Sequence, residues 1–218
     1  FDGNDDLLDL PAPVLDGRTD LTVEFWMKTA RTGNHAVVSG ARSEDANEFG
    51  TWFHAADDNI RLIYHGTTVL WKVSGGDFAD GQWHHVAFVC DAANDRATLY
   101  LDGRSFGTQD AALDGLTVDW HGLIVGQDQD SLGGGFVAAE SFQGELALPR
   151  FWESVRTASE IDTHRFAATL GPEGGLAACY PLDDGVGDTV RDVGGNARDG
   201  TLGDGTREPA WGGSDGPF

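Results

Sequence analysis

The feature that most restricts this chain is a period of two in its apolar residues, interrupted at short intervals by turn signals. In Leu21-Thr22-Val23-Glu24-Phe25-Trp26-Met27-Lys28, the side chains of Leu21, Val23, Phe25 and Met27 fall on one face, as in a half-buried β-strand. Strands are read in the same way at residues 60–64, 69–73, 83–90, 97–101, 122–125, 146–152 and 176–182. Between them lie Asp16-Gly17, Gly75-Gly76, Asp80-Gly81, Asp102-Gly103 and Asp114-Gly115, and the chain holds 31 glycines in all. Such dipeptides supply the left-handed backbone that closes hairpins. Strands punctuated this often predict an all-β fold, two antiparallel sheets packed as a jelly-roll sandwich. One segment breaks the pattern: Thr157-Ala158-Ser159-Glu160 is a capping box, and it predicts a single short helix over 161–170 that stops before Gly171-Pro172. Residues 1–218 are read as one sandwich domain. Within it, 186–218 form a loop-rich C-terminal wrap anchored by Val190, Leu202 and Trp211, the alternative being a partly disordered terminus.

Charge excludes several functions. Against 14 Lys and Arg stand 36 Asp and Glu, a net charge of −22, whereas nucleic-acid binding needs clustered cations to displace counterions. No apolar run reaches the ~18 residues of a membrane-spanning helix. So acidic a chain repels itself unless salt screens it, which fits a salt-adapted protein. It equally fits an acidic secreted protein whose aspartates sit in turns and cation sites. The chain starts at Phe1 with no leader peptide in view, so a mature protein or an excised domain is expected.

Residues 128–145 carry the most distinctive chemistry. Asp128 and Asp130 flank a carboxamide, Gln129, ahead of Gly133-Gly134-Gly135, and clustered oxygens on a bend are what a hard cation such as Ca²⁺ requires, at about six to eight ligands per ion. Alone, the pattern is also that of a solvated acidic loop. Three further segments, Phe1-Asp2-Gly3-Asn4-Asp5-Asp6, Gly81-Gln82-Trp83-His84-His85-Val86 with Leu99-Tyr100-Leu101-Asp102-Gly103, and Tyr180-Pro181-Leu182-Asp183-Asp184-Gly185, resemble laminin-G-like domains of the concanavalin A-like superfamily. Within it, Gln127-Asp128-Gln129-Asp130-Ser131-Leu132-Gly133-Gly134-Gly135-Phe136, continued by Phe142-Gln143-Gly144-Glu145 and Phe151-Trp152, closely resembles pentraxins. The similarity covers roughly residues 1–170.

That resemblance implies a paired Ca²⁺ site. Asp128 and Asp130 would be shared side-chain ligands, Gln129 would offer its carbonyl, and Glu140 would be the distal polar ligand. An earlier pair would come from Asp45 and Asn47, separated by one inserted residue. Val137 stands where the family places an acid, which removes an oxygen from the second ion. In pentraxins, the ions bind a phosphate or carboxylate oxygen of the ligand beside an aromatic pocket. Trp52 falls at that aromatic position and Thr68 at the acid that would face a choline-like cation, which argues against choline and for a glycan or phosphorylated surface ligand. The resemblance further implies a secreted or cell-surface protein that assembles with itself, in a cyclic pentamer or a filament.

Cys90 and Cys179 are the only cysteines. Their pairing is left open, while the pentraxin disulfide would join the positions of Glu24 and approximately Ala87 and is therefore absent. His84 and His85 point to opposite faces of a strand and are read as structural. No G-x-S-x-G elbow, P-loop or E-x-D-x-x-E-like strand is present, and Glu145 and Glu153 lie eight residues apart, so a non-catalytic binding protein is expected. The alternatives are a structural subunit of a calcium-stabilised filament or adhesin and, with less support, a polysaccharide-active enzyme.

Overall fold

The computed structural model describes every residue except 169, 204, 213–215 and 218; those parts of the expected helix and wrap lie outside the described residues. Among the described residues, fourteen strands form two antiparallel sheets, with one α-helix and short 3₁₀ turns. The larger sheet contains β1 (Leu8–Leu10), β3 (His35–Arg42), β4 (Asp45–His54), β5 (Asn59–Tyr64), β6 (Thr67–Lys72), β10 (Leu123–Val125), β13 (Thr189–Val190) and β14 (Gly200–Leu202). Its order is β13-β14-β1-β10-β3-β4-β5-β6. The smaller sheet contains β2 (Leu21–Lys28), β7 (Trp83–Asp91), β8 (Arg96–Leu101), β9 (Arg104–Asp110), β11 (Glu145–Trp152) and β12 (Leu176–Cys179), in the order β12-β11-β2-β7-β8-β9.

Between the sheets, Val23, Phe25 and Met27 of β2 meet Phe53, Leu62 and Trp71 of β4, β5 and β6 in one continuous core. Burying each large apolar side chain contributes about 1.5–3 kcal/mol. The alternation of β2 predicts a wet outer face, yet Thr22, Glu24 and Trp26 are also buried. The cover is helix α1 (Ala158–His164), whose Ile161 packs on Ala87 and Val89. Its capping box is formed as expected: Thr157 Oγ1 accepts the Glu160 amide, and Glu160 Oε2 accepts the Thr157 amide. The helix ends six residues before the expected Leu170. Its last carbonyls and those following are claimed by the sheet beneath: Arg150 binds the carbonyls of His164 and Ala167, and Trp26 Nε1 that of Arg165.

The tail is ordered through most of its length. β14 pairs with β1, Val190 and Leu202 join the core, and Trp211 packs against it. Cys90 and Cys179 are both free and buried. Glu24 and Ala87 are direct cross-strand partners. His84 and His85 diverge as alternation requires: His84 bonds Asp80 and Asp102, whereas His85 is buried beside Glu24 and Trp26. Many aspartates cap turns. Asp2, Asp45, Asp80, Asp91 and Asp192 each accept an amide two or three residues on.

Candidate functional site

The loop after β10 is folded back over the outer face of the larger sheet by its carboxamides. Ser39 faces outward from β3, opposite Ile124, while neighbouring Val38 and Val125 point into the core. Ser39 Oγ donates to the Gln127 carbonyl at 2.8 Å. Gln129 Nε2 reaches the Ser39 carbonyl and Oγ and the Gly122 carbonyl at 3.0–3.2 Å, while its Oε1 accepts the Gly133 amide at 2.8 Å. Its side chain is thus fully used in holding the loop. The main-chain carbonyl of Gln129 accepts no hydrogen bond among the described residues and is the oxygen left to offer. Glycine is required at Gly135, at φ +71°, where a Cβ would come within 2.7 Å of Asp130 Cβ.

Three of the expected ligands share this loop's electrostatic environment. Asp128 is only 8% exposed. Burial, then the neighbouring charges of Glu140 and Asp130, push its carboxyl up to about 6, against a weaker opposing bond from the Gln129 amide. No basic side chain pairs with Asp128, Asp130 or Glu140 among the described residues. Glu140 ends a 3₁₀ turn (Ala138–Glu140) that Arg31 pins by donating to the Ala139 carbonyl at 2.6 Å. The donor set is oxygen only, as Ca²⁺ prefers. Its carboxylates do not all lie within 4.8 Å of one another.

Asp45 and Asn47 sit on the β3–β4 hairpin, where Asp45 Oδ1 accepts the Asn47 amide at 2.9 Å. No hydrogen bond or ion pair joins either to the loop among the described residues. The hairpin does adjoin Gly122, whose carbonyl accepts both the Ala41 amide and Gln129 Nε2. Val137 supplies no side-chain oxygen and is 42% exposed. Trp52 and Thr68 share the sheet's outer face with the loop. The in-register ladder Ile124, Ser39, Gly50, Ile63, Thr68 crosses five strands, and Trp52 stands beside it in the ladder Ala36, Trp52, Arg61, Leu70. Trp52 is not an open platform. It is 8% exposed, and the Arg61 guanidinium lies over its ring, 5.5 Å from the centroid.

A second acidic group went unread as a site in the sequence. Asp2, Asp5 and Asp6 bring carboxylate oxygens within 4.8 Å of one another. This segment abuts the loop, since Gln127 Nε2 donates to the Asp6 carbonyl and Ser141 Oγ to that of Asn4. Such a group would need a discontinuous pattern to be found, because only the fold brings it against residues 127–141. The large apolar cavity is elsewhere. About 410 Å³ in volume and lined by Phe1, Trp83, Leu146, Leu182 and Trp211, it touches none of Asp128, Asp130 or Glu140.

Comparison with known proteins identifies the family. Residues 2–162 match the family model described as the concanavalin A-like lectin/glucanases superfamily, and the chain belongs to it. Its relatives include pentraxins. C-reactive protein 1.1 of Limulus polyphemus is 32% identical over 145 residues, covering 65% of this chain and 60% of that protein. Human pentraxin-4 is 34% identical over 140 residues, covering 62% of this chain and 29% of its relative. Among solved structures, a native heptameric SAP-like pentraxin from Limulus polyphemus superposes with a TM-score of 0.59 at 24% identity, over 75% of this chain and 83% of that one. A putative carbohydrate binding protein from Bacteroides ovatus gives 0.70 at 19% identity, over 90% and 55%. These two likenesses speak for the fold.

Proposed function

We propose that this protein is a calcium-dependent, non-catalytic recognition protein that binds glycans or phosphorylated groups at an extracellular surface. The observation that carries the reading is Asp128, a buried carboxylate beside two further carboxylates with no basic partner among the described residues. Burying a carboxylate beside like charges is costly unless a cation joins them. Asp128, Asp130, Glu140 and the Gln129 carbonyl would hold Ca²⁺, with Asn47 and Asp45 as ligands from the neighbouring hairpin. A bound ion supplies a positive centre at which a ligand oxygen completes the shell. The protein's own part is to fix the loop through Ser39, Gln127 and Gln129 and to exclude water around Asp128. Self-association is part of the proposal, supported by the heptameric pentraxin neighbour, and it would multiply weak single-site affinities.

The surface carboxylates of Glu145 and Glu153 are both engaged in ion pairs, Glu145 with Lys28 and Glu153 with Arg18. The test is binding to a panel of immobilised glycans and phosphorylated ligands. Retention should require Ca²⁺ and vanish with chelator or in the Asp128→Ala, Asp130→Ala double variant. Retention in chelator would overturn the reading.

A further inference from the structure

The outer face of β3–β6 is short of acid in a protein that is otherwise full of it. The register places Ala36, Trp52, Arg61 and Leu70 in one row, and Ser39, Gly50, Ile63 and Thr68 in the next. A third row holds His54, Asn59 and Lys72. None of these positions carries a carboxylate, although the chain has 36. Arg61 lies in the middle of this face. Most basic side chains here are consumed by ion pairs, such as Arg18, Lys28, Arg42 and Arg150. Arg61 has no ion pair among the described residues. A guanidinium offers five N–H donors, and this one makes a single hydrogen bond, from Nη2 to Asn34 Oδ1, while its Nε is buried without a partner.

The guanidinium lies over Trp52, 5.5 Å from the ring centroid, and covers the indole. Trp52 Nε1 also makes no hydrogen bond among the described residues, and it leans toward Gly50, where a Cβ would meet it at 3.0 Å. Exposed Thr68 adds a hydroxyl, and Leu70, 40% exposed, an apolar shelf. What this surface offers a ligand is therefore hydrogen-bond donors and positive charge without an ion-pair partner among the described residues, Arg61 in the middle of the face and Lys72 toward its edge. A guanidinium held over a ring, with donors to spare, matches a planar carboxylate.

We infer that Arg61 is a specificity-determining residue of the ligand face and that the ligand is a carboxylate-bearing glycan, one acidic group of which is held by Arg61. The inference rests on the proposed function for the location of the ligand. It reverses the sign of the distal contact: with Thr68 exposed and Arg61 in the middle of the face, an anion is favoured there and a quaternary ammonium is repelled.

The experiment compares a hyaluronan hexasaccharide with its carboxyl-reduced form, by calorimetry at saturating calcium, on the intact chain and on Arg61→Gln and Arg61→Lys. The intact chain should bind the acidic sugar at least tenfold more tightly than the reduced one. Arg61→Gln should erase that preference, Arg61→Lys should keep part of it, and all three should take up calcium alike. Thermal melts of each variant establish that the fold is retained. Equal binding of the two sugars by the intact chain, or an unchanged preference in folded Arg61→Gln, would overturn the inference. If chelator leaves hyaluronan binding intact while Arg61→Gln abolishes it, the calcium reading fails and the Arg61 assignment stands.

Discussion

Each sheet buries a carboxylate on its outer face, and the two are treated in opposite ways. On the smaller sheet Glu24, 1% exposed, meets Trp152 Nε1 at 3.0 Å, Arg150 Nη1 at 3.5 Å and His85 Nε2 at 3.4 Å. Burial alone would raise its pKa, but the His85 imidazole, the Arg150 charge and the Trp152 N–H outweigh it and hold the carboxyl below its ordinary value. On the larger sheet, burial and two like charges push Asp128 up to about 6. A buried acid supplied with internal partners fastens the fold, here tying β2 and β11 to the end of α1. A buried acid surrounded by other acids is left for something from outside.

The largest effect expected from breaking this contrast is on the smaller sheet. Arg150→Ala strands Glu24 and frees the helix carbonyls, and should cost about 3–5 kcal/mol in denaturant unfolding. Calcium uptake by whatever remains folded should be unchanged. Asp128→Asn should do the reverse: calcium uptake measured by calorimetry falls by more than about 100-fold, beyond the usual loss from an outer-shell partner, while the metal-free protein melts no lower than the parent.

A pH series sharpens the same contrast. Because the folded pKa of Asp128 is raised above its ordinary 3.8, its stability contribution is fully present below that value and is lost as pH rises through about 6. The metal-free parent should therefore lose stability relative to Asp128→Asn between those limits, and calcium should bind more weakly below pH 6 as it competes with the proton. An equal pH dependence in both proteins would remove this reading. The smallest effect belongs to His84, a partly buried control. Hydrogen bonds to Asp102 and Asp80 raise its pKa, so its contribution is present below 6.5 and lost as pH rises through the raised value. Burial would raise Asp102, but His84 and the His85 amide hold it low, and the Gln82 amide and His84 lower Asp80; their contributions are lost on acidification below 3.8. His84→Ala should cost no more than ~1 kcal/mol in thermal unfolding, most of it between those two pH values.

Legibility in the sequence followed how local the physics is. β2, β5, β7 and β8 alternate cleanly, and the capping box at Thr157 is complete within four residues. β3 was hidden because bulges after Ala36 and Gly40 shift its register, leaving both Val37 and Val38 buried. β9 is an edge strand, polar and largely exposed, with no apolar period to read. At the proposed site, Asp128, Asp130 and Glu140 lie close in sequence and are read as ligands through the family pattern. Arg61 lies on a different strand from Trp52, and only the register of β4 with β5 sets the two side by side. The buried Glu24–Arg150 pair was likewise beyond reach, being joined across strands far apart in the chain.

The position of β1 carries a kinetic consequence. It is flanked on one side by β10 and on the other by β14, so it waits for partners synthesised much later. The larger sheet closes only after β14 has emerged, and with so many distant pairings its assembly should be slow. An early-made apolar segment held open for that long is a natural client for chaperones during synthesis.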